Sequence, residues 1–309
     1  MTIAVHDLGL IKRFNAMDIQ QTKHFIKLTC HTDIQCITEH HGWTNEKAHT
    51  LPVPMQKDAT YLKELETTTG PTDQHETQQL EKEMGFNYRQ VIGKAIFAMT
   101  LCRIDIAQAI IKLSQYSEHP GECHYKAAKS IIVYLWHTKH EGIYYWRSEP
   151  NHDLPDEPLP QTVSHAADLE PYYQADNPTE LHGCSDATWA SDRQHRKSTG
   201  GIVFFFAGGA VYYQTRIHPT IAQSSTEAEL QAMTDAGKAA LCLRSIHEEL
   251  KLEQILPTQI EVDNHAARKF SNAQQPTRCT RHIDMKDLVI MQWTEEEKIL
   301  YKDVTTQSK

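Results

Sequence analysis

Three acidic residues stand in local settings that suit metal-dependent phosphodiester chemistry. Asp186 lies in Cys184-Ser185-Asp186-Ala187-Thr188-Trp189, Glu229 in Ser224-Ser225-Thr226-Glu227-Ala228-Glu229-Leu230, and Asp263 in Val262-Asp263-Asn264. Hard cations such as Mg²⁺ are held by one or two carboxylates apiece plus substrate oxygens, and two ions about 4 Å apart steady both the attacking and the leaving oxygen. Three convergent carboxylates meet that requirement. Taken singly, each has a structural explanation: an Asp at a strand end caps or turns the chain, and a Glu in a first helical turn complements the helix dipole.

The elements that must position them are legible as hydrophobic pattern. Leu181 to Ala187 reads as a strand. Gly201 to Phe206 and Ala210 to Gln214 flank Gly208-Gly209, a hairpin signal. A helix is expected from about Ser225 to Leu250, with Ser224, Ser225 or Thr226 as its N-cap. Its period separates two glutamates. Glu229 shares a stripe with Met233, Ala236, Ala240 and Leu243, whereas Glu227 shares one with Gln231, Thr234 and Lys238, so Glu229 should face the sheet and Glu227 water. Thr258 to Val262 is a further strand, followed by a short helix from Asn264 to Ser271, a helical stretch from Ile283 to Trp293 and a last strand at Ile299 to Tyr301. This order implies a mixed sheet with helices packed on it, an α/β fold class. Phe204-Phe205-Phe206 fits a buried core strand better than a base-stacking platform.

Residues 1–43 read as a hairpin built from Leu8 to Phe14, Met17 to Ile19 and His24 to Leu28, followed by a helix from Thr32 to His41. Residues 44–85 turn polar, with Pro52, Pro54, Gly70 and Pro71, and read as an extended connector. Residues 86–148 carry apolar positions at helical spacing through Val91, Ala95, Ile110, Leu113, Ile131 and Leu135, then a strand at Ile143 to Trp146. Residues 149–178 hold six prolines and many acids and form the expected boundary, leaving 179–309 as a second domain.

The chain has 309 residues, 39% hydrophobic and 23% charged, enough for two ordinary domains. Its formal net charge of −9 argues against a protein that coats nucleic acid, because such affinity comes from Lys and Arg neutralising phosphates. A metal site supplies its own positive charge, and a local basic patch serves where the total is acidic. The candidate patches are Arg193, Arg196 and Lys197, and then Arg278, Arg281 and Lys286; solvated loop charge explains either set equally well. No run of 18 or more apolar residues and no signal-peptide pattern occurs, so a soluble intracellular protein is expected, without a membrane partner. The seven cysteines include no C-x-x-C pair, and reduced thiols are expected. Cys30, Cys36, His40 and His41 fit no standard zinc spacing.

The motif order carries a resemblance. Cys184 to Arg193, Arg196-Lys197-Ser198-Thr199-Gly200-Gly201, Ser224 to Glu229, Val262-Asp263-Asn264 and Arg281-His282-Ile283-Asp284 together resemble the ribonuclease H domain of copia-type retrotransposon polyproteins. The resemblance implies a ribonuclease H-like mixed sheet with flanking helices and two-metal cleavage of the RNA strand of an RNA/DNA hybrid, using Mg²⁺ or Mn²⁺. It supports Asp186, Glu229 and Asp263 as catalytic metal ligands; from the basic patches, Arg193, Arg196, Lys197 and Arg281 are the candidate nucleic-acid contacts. His6 to Phe14, Tyr88-Arg89-Gln90-Val91-Ile92-Gly93, Arg103-Ile104-Asp105-Ile106-Ala107 and His124 to Lys129 resemble the segments after the polymerase palm, a small, mainly helical thumb or connection-like domain. The remainder of a retrotransposon polyprotein is the protein partner this implies.

The departures set the competing expectations. No Tyr/Phe-x-Asp-Asp motif occurs, so polymerase activity is not expected. Thr188 stands where the family has a second Asp, and Ile104 replaces the Pro of Arg-Pro-Asp. The family's fourth metal-site Asp follows the last strand, and the chain is expected to be truncated before it; Asp284 fits a helix cap better than a substitute. His282 fits a structural role better than a proton shuttle. The leading expectation is an RNA/DNA-hybrid ribonuclease. The alternatives are an inactive retroelement remnant that at most binds nucleic acid, and a nuclease of the same fold acting on another substrate, as in DNA strand transfer.

Overall fold

The structure, a computed structural model, describes residues 9–45, 53–56, 58–156, 179–191, 196–265, 268–269 and 289–304. The chain divides into two compact units, Met1–Glu157 and Pro158–Lys309.

The first unit opens with β1 (Arg13–Phe14), β2 (Met17–Gln21) and β3 (Phe25–Thr29), then α1 (His31–His40), α2 (Ala59–Thr67), α3 (Gln74–Met84), α4 (Tyr88–Leu101), α5 (Ala107–Ser114), α6 (Glu122–His137) and β4 (Ile143–Trp146). The sheet order is β1-β2-β3-β4, all antiparallel. β4 pairs with β3, placing Trp146 opposite Phe25 and Ile143 opposite Leu28, so the first and last segments of the unit share one sheet.

The polar stretch expected to be an extended connector contains two helices, α2 and α3. Asp58 accepts hydrogen bonds from the Thr60 and Tyr61 N–H groups, and Asp73 from those of His75 and Glu76, so each helix starts on a side-chain cap. α3 stops at Gly85, whose φ of 79° is the left-handed conformation that glycine adopts without penalty. α2 sinks Leu65 completely, and the buried His124 ring meets the Leu65 carbonyl at 2.8 Å.

Arg103 shows how this unit handles a buried cation. The residue is 1% exposed, yet its guanidinium reaches both Asp105 oxygens at 3.0 and 2.7 Å, the Thr138 carbonyl at 3.0 Å and the Thr138 hydroxyl at 2.6 Å. A buried charge is tolerated when it is paired and hydrogen-bonded in this way. Arg103-Ile104-Asp105 is therefore a clasp between the end of α4 and the end of α6.

The second unit contains β5 (His182–Thr188), β6 (Thr199–Phe206), β7 (Gly209–Ile217), α7 (Ser225–Glu249), β8 (Thr258–Val262), α8 (Val289–Glu295) and β9 (Ile299–Asp303). The expected mixed α/β sheet is present, in the order β7-β6-β5-β8-β9. β5, β6 and β7 are antiparallel, and β8 and β9 run parallel to β5. The hairpin turn is Ala207-Gly208, with φ of 52° and 75°, and Gly209 already pairs with Phe206. The turn lies one residue earlier than the sequence suggests. Both central residues adopt positive φ, as expected for a tight antiparallel hairpin.

α7 covers the sheet with Leu230, Met233, Ala236 and Ala240, packed among Ile202, Phe204, Ile260, Val262, Ile299 and Tyr301. Phe204 is fully buried, in keeping with a core strand. Gly237 allows α8 to approach: a Cβ there would lie 2.3 Å from the Trp293 ring.

Candidate metal centre

β5 and β8 are adjacent and parallel, with Cys184 opposite Glu261 and Ser185 opposite Val262. The next residue on each chain is an aspartate, Asp186 on β5 and Asp263 just past the end of β8. Neighbouring strands lie about 4.8 Å apart, so this register alone brings two carboxylates together. β8 no longer accompanies β5 beyond Val262, and the Ala187 N–H is taken by Glu229 Oε1 at 3.3 Å.

Glu229 arrives from the start of α7. Ser224 is the N-cap, its hydroxyl accepting the Glu227 N–H at 3.1 Å, while the Glu227 carboxylate accepts the Gln223 N–H at 2.7 Å. Glu227 thus secures the helix start, and Glu229, two residues on, is 5% exposed against the sheet. One oxygen from each of Asp186, Glu229 and Asp263 lies within 4.8 Å of the others; both aspartates are exposed. Among the described residues, this is the group of His, Cys, Asp and Glu side chains that could hold a metal ion.

The electrostatics follow from that packing. Burial, then the charges of Asp186 and Asp263, push the Glu229 carboxyl up to about 7, against a smaller opposing effect of the Ala187 N–H. Glu229 Oε2 is buried and has no hydrogen-bond partner. A divalent cation would remove both penalties at once, satisfying the orphaned oxygen and neutralising like charges held together. The donor set, all carboxylate oxygen, suits Mg²⁺ or Mn²⁺.

Of the other sequence candidates, Arg196 is exposed, with a φ of 57°, and Lys197 is half-buried. Arg193, Arg278, Arg281, His282, Asp284 and Lys286 lie outside the described residues. Thr188 is exposed at the end of β5.

Sequence reasoning missed the group that fixes the loop before α7. His218 is 1% exposed, its backbone N–H donates to the Ser198 carbonyl at 2.8 Å, and a Cβ on Gly200 would lie 2.4 Å from its Nε2. Gln231 Nε2 donates to Thr220 Oγ1 at 3.2 Å. The Trp189 indole crosses from the end of β5 to the Ala222 carbonyl at 3.0 Å. The available signal was Gly200, a glycine within a strand, which often marks close approach by another group. Behind Asp263, Arg268 Nε meets Asp303 Oδ1 at 2.7 Å, tying the turn after β8 to β9.

No protein-family model matches the chain. The Pol polyprotein of the tobacco transposon TNT 1-94 is 28% identical over 302 residues, 97% of this chain and 20% of that protein. Its homologues include retrovirus-related Pol polyproteins of copia-type transposons. The Pol polyprotein of the Arabidopsis thaliana transposon RE1 is 27% identical over 180 residues, 58% of this chain and 10% of that protein. A protein named secreted RxLR effector protein 161 from Plasmopara viticola is 30% identical over 156 residues, 50% of this chain and 90% of that protein. The chain therefore spans only 20% of the TNT 1-94 polyprotein, and less of RE1.

Among solved structures, LC11-RNase H1 in complex with an RNA/DNA hybrid aligns with a TM-score of 0.32 and 9% identity, over 42% of this chain and 88% of that one. A foamy viral protease-reverse transcriptase in complex with an RNA/DNA hybrid aligns with a TM-score of 0.37 and 13% identity, over 81% of this chain and 27% of that one. The second unit is a five-stranded mixed sheet with flanking helices, and ribonucleases H are among the solved structures the chain resembles.

Proposed function

We propose that this segment is the ribonuclease H portion of a copia-type polyprotein and hydrolyses the RNA strand of RNA/DNA hybrids with Mg²⁺ or Mn²⁺. The observation that carries the reading is the convergence of Asp186, Glu229 and Asp263, with the buried Glu229 Oε2 left without a partner. These residues would hold the metal. When bound, it would supply charge stabilisation for the attacking and leaving oxygens of the phosphodiester. The chain's own part is placement: the β5–β8 register brings the two aspartates together, and the Ala187 N–H orients Glu229 beside them.

Nucleic-acid contact by the first unit is also part of the proposal. A cavity of about 400 Å³ is lined by Lys12, Lys27, His31 and His140, with Asp18 as its acid. Asp18 is already engaged, accepting the Thr32 N–H and hydroxyl, each at 2.8 Å. A cationic recess of this kind suits backbone phosphate. Among the described residues, no helix is long and apolar enough to cross a membrane.

The competing reading is a catalytically inactive segment that binds hybrid. It is favoured by the described carboxylate group stopping at three members, with Thr188 in place of an aspartate. Cleavage of a labelled RNA/DNA hybrid by the purified chain in Mg²⁺ or Mn²⁺, lost in Asp186→Asn, would support the nuclease. A folded chain that binds hybrid and Mn²⁺ but leaves the RNA intact would establish the inactive reading instead.

A further inference from the structure

The first unit carries a feature that hybrid cleavage does not use. Cys30 directly follows β3 and is the N-cap of α1, and Cys102 is the C-cap of α4. They lie 72 positions apart in the chain, yet their sulfurs are 3.0 Å apart. Both are buried, at 0% and 3% exposure. The Cys30 sulfur also makes a long approach to the Ala98 carbonyl at 3.9 Å.

We propose that Cys30 and Cys102 are a modification site, forming a reversible intramolecular disulfide that clasps the β3–α1 junction to the end of α4. The sulfurs would have to close by about 1 Å to reach bonding distance, a movement within the range of small side-chain torsions. The local chemistry favours the first step. The Cys30 thiol is lowered by the Cys102 S–H that faces it and, against burial, by the neighbouring Arg103 guanidinium, whose position is fixed by Asp105 and Thr138. The thiolate is the attacking species in thiol–disulfide exchange.

The co-reactant is a small-molecule disulfide such as oxidised glutathione. Cys30 sulfur attacks one of its sulfurs and expels one glutathione as thiolate. Cys102 sulfur then attacks Cys30 sulfur in the mixed disulfide and expels the second. The two cysteine thiols are oxidised, the glutathione disulfide is reduced, and the two thiol protons end on the two released glutathiones. Burial of both sulfurs requires the end of α4 to open or the chain to meet the oxidant while folding. Intracellular disulfides of this type are characteristically transient.

The test uses the full chain, both native and refolded from denaturant, in glutathione buffers of increasing oxidised fraction. The samples are acid-quenched, unfolded, alkylated and mapped by mass spectrometry. The expected result is a linked Cys30–Cys102 peptide pair two hydrogens lighter than the reduced pair, with a Tm higher by about 10 °C that reverts on adding dithiothreitol. Cys30→Ser and Cys102→Ser, each shown to be folded by circular dichroism, should give neither the link nor the rise. The refolding arm removes burial as a reason for no reaction. If Cys30 and Cys102 stay alkylatable in both arms while the exposed Cys36 and Cys242 take up glutathione, the proposal fails. It fails equally if Cys30 or Cys102 pairs with a different cysteine.

Discussion

Asp186 and Asp263 follow a matched pair of residues on adjacent parallel strands: Ser185 and Val262 are register partners, and the next residue on each chain carries a carboxylate. Two negative charges placed side by side by backbone pairing need a counter-charge to be useful. Asp186→Asn and Asp263→Asn should therefore each lower hybrid cleavage by roughly 10²- to 10⁴-fold, the equivalent of the several kcal/mol that a metal contributes to charge stabilisation. Both variants should keep the wild-type circular dichroism spectrum. Single-turnover cleavage in Mn²⁺ is the measurement, and undiminished activity in either variant would remove that residue from the site.

Glu229 should make the metal-free chain lose stability as pH rises. Its carboxyl is raised in the folded state from about 4.5 to about 7, chiefly by burial, so the native state holds this proton more tightly than the unfolded chain. The cost is absent below the unfolded value, grows between the two, and is complete above about 7, where it is on the order of 3 kcal/mol. In EDTA at pH 8, Glu229→Gln should be more stable than wild type, with the gap closing towards pH 5. Adding Mn²⁺ should stabilise wild type and leave the variant nearly unchanged. Urea melts across this range decide it: a gap that does not vary with pH contradicts the assignment.

How far the sequence disclosed this arrangement depends on whether a signal was local. The helical period of α7 separated Glu229 from Glu227 without any structure, and the strand patterns of β5 to β9 were readable to within a few residues. Helices α2 and α3 are hidden by the polar composition and by the scattered breakers Pro52, Pro54, Gly70 and Pro71, although Asp58 and Asp73 already stand as caps. The Ala207-Gly208 turn was missed by one residue because Gly208-Gly209 is the stronger dipeptide signal. The rest is non-local. Nothing near Asp186 says that β5 lies beside β8, nothing near Phe25 says that it faces Trp146, and Cys30 carries no mark of Cys102.

Gly237→Ala should destabilise the second unit although it replaces glycine inside a long helix. Alanine is favoured there intrinsically by about 1 kcal/mol. The added Cβ, however, would lie 2.3 Å from one Trp293 ring carbon, 2.6 Å from a second and 2.9 Å from the Tyr301 hydroxyl, so α8 or β9 must shift. Overpacking of this kind costs about 1–3 kcal/mol and should win. In a Trp293→Leu background the same substitution should be neutral or stabilising, because most of the obstruction is gone. Thermal melts of the four proteins form a double-mutant cycle, and additive effects would mean that Gly237 is not needed for the close approach.

The cationic recess of the first unit should appear in the salt dependence of hybrid binding rather than in cleavage chemistry. Each lysine that neutralises a phosphate releases counterions and contributes about 0.9 to the slope of log K against log salt on duplex. Lys12→Gln with Lys27→Gln should flatten that slope by about 2 and weaken binding almost equally for hybrids of any sequence. Lys27 lies over the Tyr144 ring at 5.0 Å, so Lys27→Arg keeps both the charge and the ring contact and should preserve the slope. The measurement is fluorescence anisotropy in EDTA, in an Asp186→Asn background so that the hybrid stays intact. A double variant with the parent slope and affinity would place the phosphate contacts elsewhere, while leaving the carboxylate centre, tested by cleavage, unaffected.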